Sequence, residues 1–382
     1  MPQWNAKPAG HESQKEDGTR QPPVGKNLRA AIEAGREHFT AGRYDEAIET
    51  FEAILQENSE AAPAYVGIGN VHAERGEYKE ALEYYEGALH IQKDLVPALV
   101  MSGNIHLKQG SFDQALDNYK QALAVNPGLD RARLKVGEVY VKMGKIAEAM
   151  ECLNEALKLN PQFEEARIAK AQIYANRGDF QEALDELRGV ISRDAANLPA
   201  HLQLARILVG HENYRAAADT LKEAIELKPD SARIRCLLGR CEMSMHEYES
   251  AFATYSKAAE LKPNAMPAKV GMVRALMELG RLAEARPILV GMTKGGRGLG
   301  MVHRMLADLC LREEKYGEAV AEYGAAILHA VKLVEKHPEL AAITPIAGDD
   351  RKTAEAYKTA FDKIEQEATA APEEDEEPAG VL

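Results

Sequence analysis

The sequence predicts an all-α fold made of repeated helix–turn–helix units, and three observations support this prediction. An alanine recurs every 34 residues through nine successive units, apolar residues stand three before and four after it, and glycine falls between the two helices in six units. An internal repeat is a better guide to the architecture of a chain than its length, because each unit packs mainly on its neighbours. We therefore expect one array of repeats rather than two or three unrelated globular domains.

The alanine register runs from the first unit to the last without an insertion or a deletion. The alanines are Ala47, Ala81, Ala115, Ala149, Ala183, Ala217, Ala251, Ala285 and Ala319. The residues three before them are Tyr44, Tyr78, Phe112, Ile146, Phe180, Tyr214, Tyr248, Leu282 and Tyr316, and those four after them are again apolar. Spacings of three and four place all these side chains on one helix face. This pattern predicts the second helix of each unit.

In each unit a first helix precedes the helix that carries the repeated alanine. This first helix has a small residue that lets the two helices approach closely. The small residues are Gly35, Gly69, Gly103, Gly137, Ala171, Ala205, Gly239, Val273 and Ala307. Glycine then ends this helix in a left-handed conformation at Gly42, Gly76, Gly110, Gly144, Gly178 and Gly280. Glu212, His246 and Glu314 stand at this turn in the sixth, seventh and ninth units. Prolines close the second helix at Pro127, Pro161, Pro229 and Pro263.

The combined pattern resembles the tetratricopeptide repeat family, whose unit has 34 residues. The resemblance implies a right-handed superhelix, or α-solenoid, of helix–turn–helix repeats. Nine repeats would span residues 28–333 and begin at Leu28, Ala62, Val96, Asp130, Glu164, Leu198, Ala232, Met266 and Gly300.

Three further segments flank the repeats. Residues 1–27 are rich in Gly, Pro and charge, so we expect a disordered N-terminal tail. Residues 334–370 predict a loop followed by a capping helix from about Arg351 to Glu367, with Asp349 or Asp350 as its N-cap. Residues 371–382 predict an acidic disordered tail.

Composition excludes several classes of protein. The 60 acidic and 47 basic side chains give a net charge of −13, which argues against a nucleic-acid partner. No apolar run approaches the roughly 18 residues of a membrane span, so we expect no membrane insertion. The N-terminus has no apolar signal region, and the four cysteines lack metal-binding or disulfide spacing. These features predict a cytoplasmic location.

No residue pattern predicts catalysis, a cofactor or a metal. The sequence has no GxSxG or HExxH motif, and its carboxylates fall mainly on solvent-facing helix positions. His38, His72 and His106 share one position in three successive repeats, but packed helices lie ~8–10 Å apart. Zinc needs its nitrogen ligands at about 2.0–2.1 Å, so the three cannot share an ion. We expect them to replace an aromatic packing residue, and we predict no enzyme.

The resemblance implies that the first helices line a concave groove through their second, fifth, ninth and twelfth residues. The candidate partner-binding residues are Ile32, Val66, Asn70, Val100, Asn104, Leu134, Arg206, Arg233, Arg240, Met243, Arg274 and Met277. The asparagines offer hydrogen bonds to a peptide, the arginines suit carboxylates, and the methionines adapt to apolar partners. Alternatively, the arginines pair only with nearby glutamates. Basic side chains at the fourth position, such as Arg133 and Arg167, are predicted to be structural.

The predicted function is a non-catalytic protein-interaction scaffold or assembly factor. Its partner would be an acidic and partly apolar peptide or helix, held in the groove. Two alternatives are left open: a regulatory or anchoring subunit of an enzyme complex, and a scaffold that assembles with copies of itself into a homo-oligomer. An enzyme or nucleic-acid binder is the least favoured hypothesis.

Overall fold

The computed structural model describes residues 28–294, 298–329 and 349–370, with side chains to Asp362 in the last range. Regular secondary structure in these ranges consists of 19 α-helices, with no strand. The chain divides into two compact units, Met1–Ile173 and Tyr174–Leu382, and the boundary falls inside α9. The predicted N-terminal tail, most of the loop before the capping helix, and the acidic tail lie outside the described residues.

The helices follow one another in pairs along the chain. The first nine are α1 (Leu28–Thr40), α2 (Tyr44–Glu57), α3 (Ala62–Glu74), α4 (Tyr78–Ile91), α5 (Val96–Lys108), α6 (Phe112–Val125), α7 (Asp130–Lys142), α8 (Ile146–Leu159) and α9 (Glu164–Arg177). The remaining helices are α10 (Phe180–Ile191), α11 (Leu198–Gly210), α12 (Tyr214–Leu227), α13 (Ala232–Ser244), α14 (Tyr248–Leu261), α15 (Met266–Glu278), α16 (Leu282–Thr293), α17 (Leu299–Arg312), α18 (Tyr316–Leu328) and α19 (Asp350–Ala370).

Odd-numbered helices up to α17 are the first helices of the repeats. Eight of them begin at the residue where the sequence register places the start of a repeat, and α17 begins one residue before Gly300. Each second helix begins at the apolar residue three positions before the repeated alanine. These alanines are fully buried, so the register marks the contact between helices.

Left-handed backbone ends the first helix in all nine repeats, whether or not glycine is present. Glu212, His246 and Glu314 have φ values of 57°, 60° and 61°, close to the 73° of Gly42 and Gly144. The residue after each left-handed position donates its backbone N–H to a carbonyl five residues earlier, as in Arg43 to His38 and Asn213 to Leu208. This bond belongs to the Schellman motif, which satisfies carbonyl groups left open at a helix end. The helix pair therefore requires a left-handed backbone at this turn, whichever residue type stands there.

Close contact between the two helices of a repeat depends on the small residue of the first helix. A Cβ atom added at Gly69 would lie 2.5 Å from the Tyr85 ring, and one at Gly239 would lie 2.8 Å from the Tyr255 ring. Both distances are below van der Waals contact, so a side chain there must displace the aromatic ring. The predicted role of these glycines in close helix packing is confirmed.

Basic side chains at the fourth position join consecutive repeats. Arg133 and Arg167 donate to the carbonyl oxygens of Pro127 and Pro161, at 2.9 and 3.2 Å, and Arg235 makes the same bond to Pro229. Each proline follows the second helix of the preceding repeat. The guanidinium groups thus satisfy carbonyls at the repeat junctions, and their predicted structural role is confirmed.

The last helix packs on the end of the ninth repeat. Ala354, Tyr357 and Phe361 are buried, and the rings of Tyr357 and Phe361 stack on Tyr323 with centroids 5.8 and 5.7 Å apart. Asp349 caps the helix by accepting the Lys352 N–H at 3.0 Å. Helix α19 therefore covers the apolar side of α18.

Candidate functional site

The aliphatic fifth positions of the first helices contribute to packing more than to an open surface. Ile32, Val66 and Leu134 are 9%, 8% and 8% exposed, and each belongs to a hydrophobic cluster that includes residues of the second helices. Val100 is half-buried against a further cluster. The sequence predicted these four as partner contacts, but the structure leaves little of them accessible, because neighbouring helices cover them.

The two candidate asparagines are held by tyrosines of their own repeats. Tyr85 donates its hydroxyl to Asn70 Oδ1 at 2.7 Å, and Tyr119 donates to Asn104 Oδ1 at 2.6 Å. Burial raises the pKa of both tyrosines, so the hydroxyls stay protonated and remain donors. Each amide oxygen thereby accepts one hydrogen bond within the repeat, and the NH₂ groups are left to donate hydrogen bonds. Asn104 Nδ2 lies 3.8 Å from the sulfur of Met101.

A third pair of this kind occurs in the ninth repeat, where aspartate replaces asparagine. Tyr323 donates its hydroxyl to Asp308 Oδ1. Burial raises the pKa of Asp308, and the hydrogen bond from Tyr323 opposes the shift. Burial and the neighbouring carboxylate also raise the pKa of Tyr323. A tyrosine at this position of the second helix and a polar residue at the ninth position of the first helix are the sequence signal for these pairs.

Four candidate arginines are exposed on three consecutive first helices of the unit Tyr174–Leu382. Arg206 lies on α11, Arg233 and Arg240 on α13, and Arg274 on α15. Arg206 and Arg274 each also have an interaction within the chain. Burial raises the pKa of Tyr255 to about 12, and the charges of Arg240 and Arg274 oppose this shift. The hydroxyl of Tyr255 therefore lies within electrostatic range of both arginines.

A cavity of about 790 Å³ lies between the first helices of the last three repeats and α19. It brings together three residues that the sequence predicted, namely Met243, Arg274 and Met277. Two further methionines, Met301 and Met305, contribute to its lining. Met277 is only 7% exposed and Met305 6%, whereas Met301 is 40% exposed. The cavity therefore has a thioether-rich wall, part of which is open to solvent.

Charged residues of both signs surround this cavity, and several are already paired within the chain. Arg312 contacts Glu278 at 2.6 Å, Arg351 contacts Glu355 at 2.9 Å, and Arg304 contacts Asp362 at 3.2 Å. The Arg304 guanidinium also lies 5.4 Å from the centre of the Phe361 ring. Helix α19 supplies Arg351, Glu355, Lys358 and Asp362 to the lining. A helix predicted only as a cap is therefore also a wall of the cavity.

Two of the three non-glycine residues with positive φ also line the cavity. They are His246 and Glu314, which end α13 and α17. His246 Nδ1 lies 2.7 Å from the Tyr248 hydroxyl, and Tyr248 and Tyr316 are further lining residues. The left-handed conformation is unfavourable for residues with a side chain, but the helix turn imposes it here and also at Glu212, which does not line the cavity. The sequence showed the missing glycines but not that two of these positions lie at one cavity.

The three histidines at a shared repeat position have different surroundings. His38 Nδ1 lies 3.0 Å from Arg43 Nε, and His72 Nδ1 lies 2.6 Å from Glu77 Oε2. The His72 ring stacks on Tyr84 with a centroid distance of 5.3 Å, which supports the predicted packing role. Burial lowers the pKa of His106. Among the residues that the structure describes, no group of three or more His, Cys, Asp or Glu side chains is placed to hold a metal ion.

Comparisons with solved structures show the fold. A tetratricopeptide repeat protein from Parabacteroides merdae is 19% identical, with a TM-score of 0.53, over 66% of this chain and 100% of that one. The hetero-tetramer Cut9–Hcn1 of APC/C gives 17% identity and a TM-score of 0.51, over 66% of this chain and 49% of that one. YrrB, a tetratricopeptide repeat protein with an unusual peptide-binding site, is 25% identical with a TM-score of 0.38, over 53% and 99%.

Family models agree with these structures. Models described as tetratricopeptide repeat match residues 32–96, 106–173, 175–241 and 242–309, which make up more than half of the chain. No curated protein sequence matches the chain. In the described ranges, no helix is both long enough and apolar enough to cross a membrane. The all-α helical-repeat fold predicted from the sequence is confirmed, and the chain belongs to the tetratricopeptide repeat family.

Proposed function

We propose that the protein is a non-catalytic scaffold or assembly factor that binds a protein partner along the first helices of its repeats. Family membership supports a role in protein interaction. The exposed arginines on α11, α13 and α15 indicate the surface that would contact the partner. Arginine presents a planar fork of donors that matches a carboxylate, so basic residues on consecutive helices suit an acidic segment. The partner would be an acidic and partly apolar peptide or helix.

Affinity capture followed by mass spectrometry would identify the partner, and charge reversal would test the surface. The double variant Arg206→Glu, Arg240→Glu should abolish binding of the identified partner, because four units of charge change where carboxylates would dock. Arg215→Glu is a suitable control. Arg215 is exposed on the second helix α12 and pairs with Glu247 at 2.8 Å, so it changes charge away from the first helices.

Both variants should retain the helical circular dichroism of the parent. Unchanged partner affinity in the folded double variant would contradict the proposed surface. Equal losses in the double variant and in Arg215→Glu would show that net charge, rather than this set of helices, governs binding.

A further inference from the structure

We infer that the cavity between the last three repeats and α19 is an anchor pocket for one bulky apolar side chain of the partner. This inference rests on the proposed function and adds the place where an apolar side chain of the partner would bind. The pocket is defined here by its four methionines, Met243, Met277, Met301 and Met305. The whole cavity, at about 790 Å³, is larger than one side chain, so the anchor would occupy only its methionine-lined part. Thioether side chains are flexible and polarizable, so they adapt to apolar groups of different shape.

Where the arginines that line the cavity are paired, they favour an apolar rather than an ionic contact. Arg312, Arg351 and Arg304 are already paired with Glu278, Glu355 and Asp362. A charged ligand group beside such a pair would have to disrupt it, or it would lie next to one opposite and one like charge, whose effects oppose each other. An apolar group has no such cost, since it displaces water from the methionines.

The anchor pocket is continuous with the exposed arginines of the proposed surface. Met243 follows Arg240 by three residues on α13, so both side chains lie on one face of that helix. Arg274, which is exposed, lines the pocket itself. A partner segment would therefore place its apolar anchor beside α17 and α19 and its acidic residues toward α13 and α11.

Two turns with positive φ also line the pocket, at His246 and Glu314, with φ values of 60° and 61°. Glu212 has a φ value of 57° outside the pocket, so this conformation belongs to the helix turn and does not by itself mark a binding site.

Selection of phage-displayed random peptides on the full chain tests this inference. We expect enrichment of peptides with one Leu, Met or Phe beside several acidic residues. The variant Met301→Glu should weaken their binding by about tenfold or more, because it places a charge against the apolar anchor. The conservative variant Met301→Leu should change affinity by less than about threefold, since volume and polarity are similar. Leu227→Glu is the matched control, because Leu227 is 39% exposed, close to the 40% of Met301, and lies outside the pocket.

The outcomes separate failure of the pocket from failure of the proposed function. Peptides that lose binding in Arg206→Glu, Arg240→Glu but not in Met301→Glu would overturn the pocket and leave the scaffold proposal standing. Enrichment of no peptide at all would contradict both. Equal effects of Met301→Glu and Leu227→Glu, in variants with unchanged thermal unfolding, would also overturn the pocket.

Discussion

In the unit that ends at Ile173, glycine occupies the left-handed turn of each of the four complete repeats, at residues 42, 76, 110 and 144. In the unit that begins at Tyr174, Glu212, His246 and Glu314 hold the same conformation with side chains attached. The Schellman hydrogen bond is present in both units. The helix pair therefore fixes the backbone in both units, and in the second unit it does so even where the residue carries a side chain, at the cavity (His246 and Glu314) and away from it (Glu212).

The two units also differ in their tyrosine pairs. Asn70 and Asn104 accept hydroxyl hydrogen bonds in the first unit, whereas Asp308 does so in the second. An amide is neutral and leaves donors on the surface of the first helix. A carboxylate instead introduces a partly buried negative charge beside Arg304. The same geometry therefore gives the two units different surface chemistry.

The largest expected effect comes from overpacking the repeated alanine, which should damage either unit equally. Ala149 and Ala251 are both fully buried at helix contacts. Replacing either by leucine should cost about 1–3 kcal/mol of unfolding free energy. Because a repeat is coupled mainly to its neighbours, denaturant unfolding should separate into two phases. One cooperative transition with the parent midpoint would contradict the repeat architecture.

The turn residues should respond in opposite directions in the two units. Gly144→Ala should destabilise the protein by about 1 kcal/mol, and Glu212→Gly should stabilise it by a similar amount, because only glycine adopts positive φ without steric cost. Thermal and chemical unfolding of the two variants measures both effects. A stabilising Gly144→Ala would show that the left-handed conformation is not enforced by the helix pair.

The same substitution at the pocket tests whether a turn residue there also affects binding. Glu314→Gly should stabilise the fold, and it should strengthen binding of the selected acidic peptides severalfold, because it removes a carboxylate from the lining of the anchor pocket. Glu212 is not among the pocket residues, so Glu212→Gly should leave binding unchanged. Equal binding in both variants would show that Glu314 does not act on a ligand in the pocket.

The aspartate of the ninth repeat should respond to conversion into the asparagine of the first unit. Asp308→Asn keeps an acceptor for Tyr323 and removes a carboxylate whose pKa is raised by burial. A raised acid pKa means that ionisation favours the unfolded state, beginning at the unfolded-state pKa and reaching its full effect above the raised pKa. The variant should therefore be more stable than the parent at neutral pH, and the difference should shrink as pH falls through the raised pKa of Asp308.

Urea unfolding between neutral pH and pH ~4 measures this effect. Besides burial, the Tyr323 hydroxyl acts on the pKa of Asp308 through its hydrogen bond, and Arg304, Lys358 and Asp362 act on it through their charges. A difference in stability that does not change over this range would show that the Asp308 charge is not the cause.

The smallest expected effect concerns residues 371–382, which lie outside the described residues. Their run of five acidic side chains, 373–377, predicts competition with an acidic partner for the arginines. Tethering gives millimolar effective concentrations, so deletion of residues 371–382 should raise partner affinity severalfold at low salt and leave it unchanged at high salt. Unchanged affinity at both salt concentrations would instead indicate a tail that only adds solubility.

The repeats were predictable from the sequence because a buried alanine and its apolar neighbours report directly on helix contacts. The starts of the first helices, the close approach at Gly69 and Gly239, and the structural role of Arg133 follow from that register. The pocket could not be predicted, because one of its walls is the last helix, α19, which lies outside the 34-residue register of the repeats. Asn70 was predicted to offer hydrogen bonds to a peptide, and the sequence did not show that its oxygen accepts from a tyrosine 15 residues away, in another helix.

Hydrogen–deuterium exchange of the full chain, with and without its identified partner, tests most directly that the first helices carry the binding surface. We expect slowed exchange in α11, α13, α15 and α17 and in α19, which lines the pocket, with little change in the second helices α12, α14 and α16. Slowed exchange confined to α12, α14 and α16 would contradict a binding surface on the first helices.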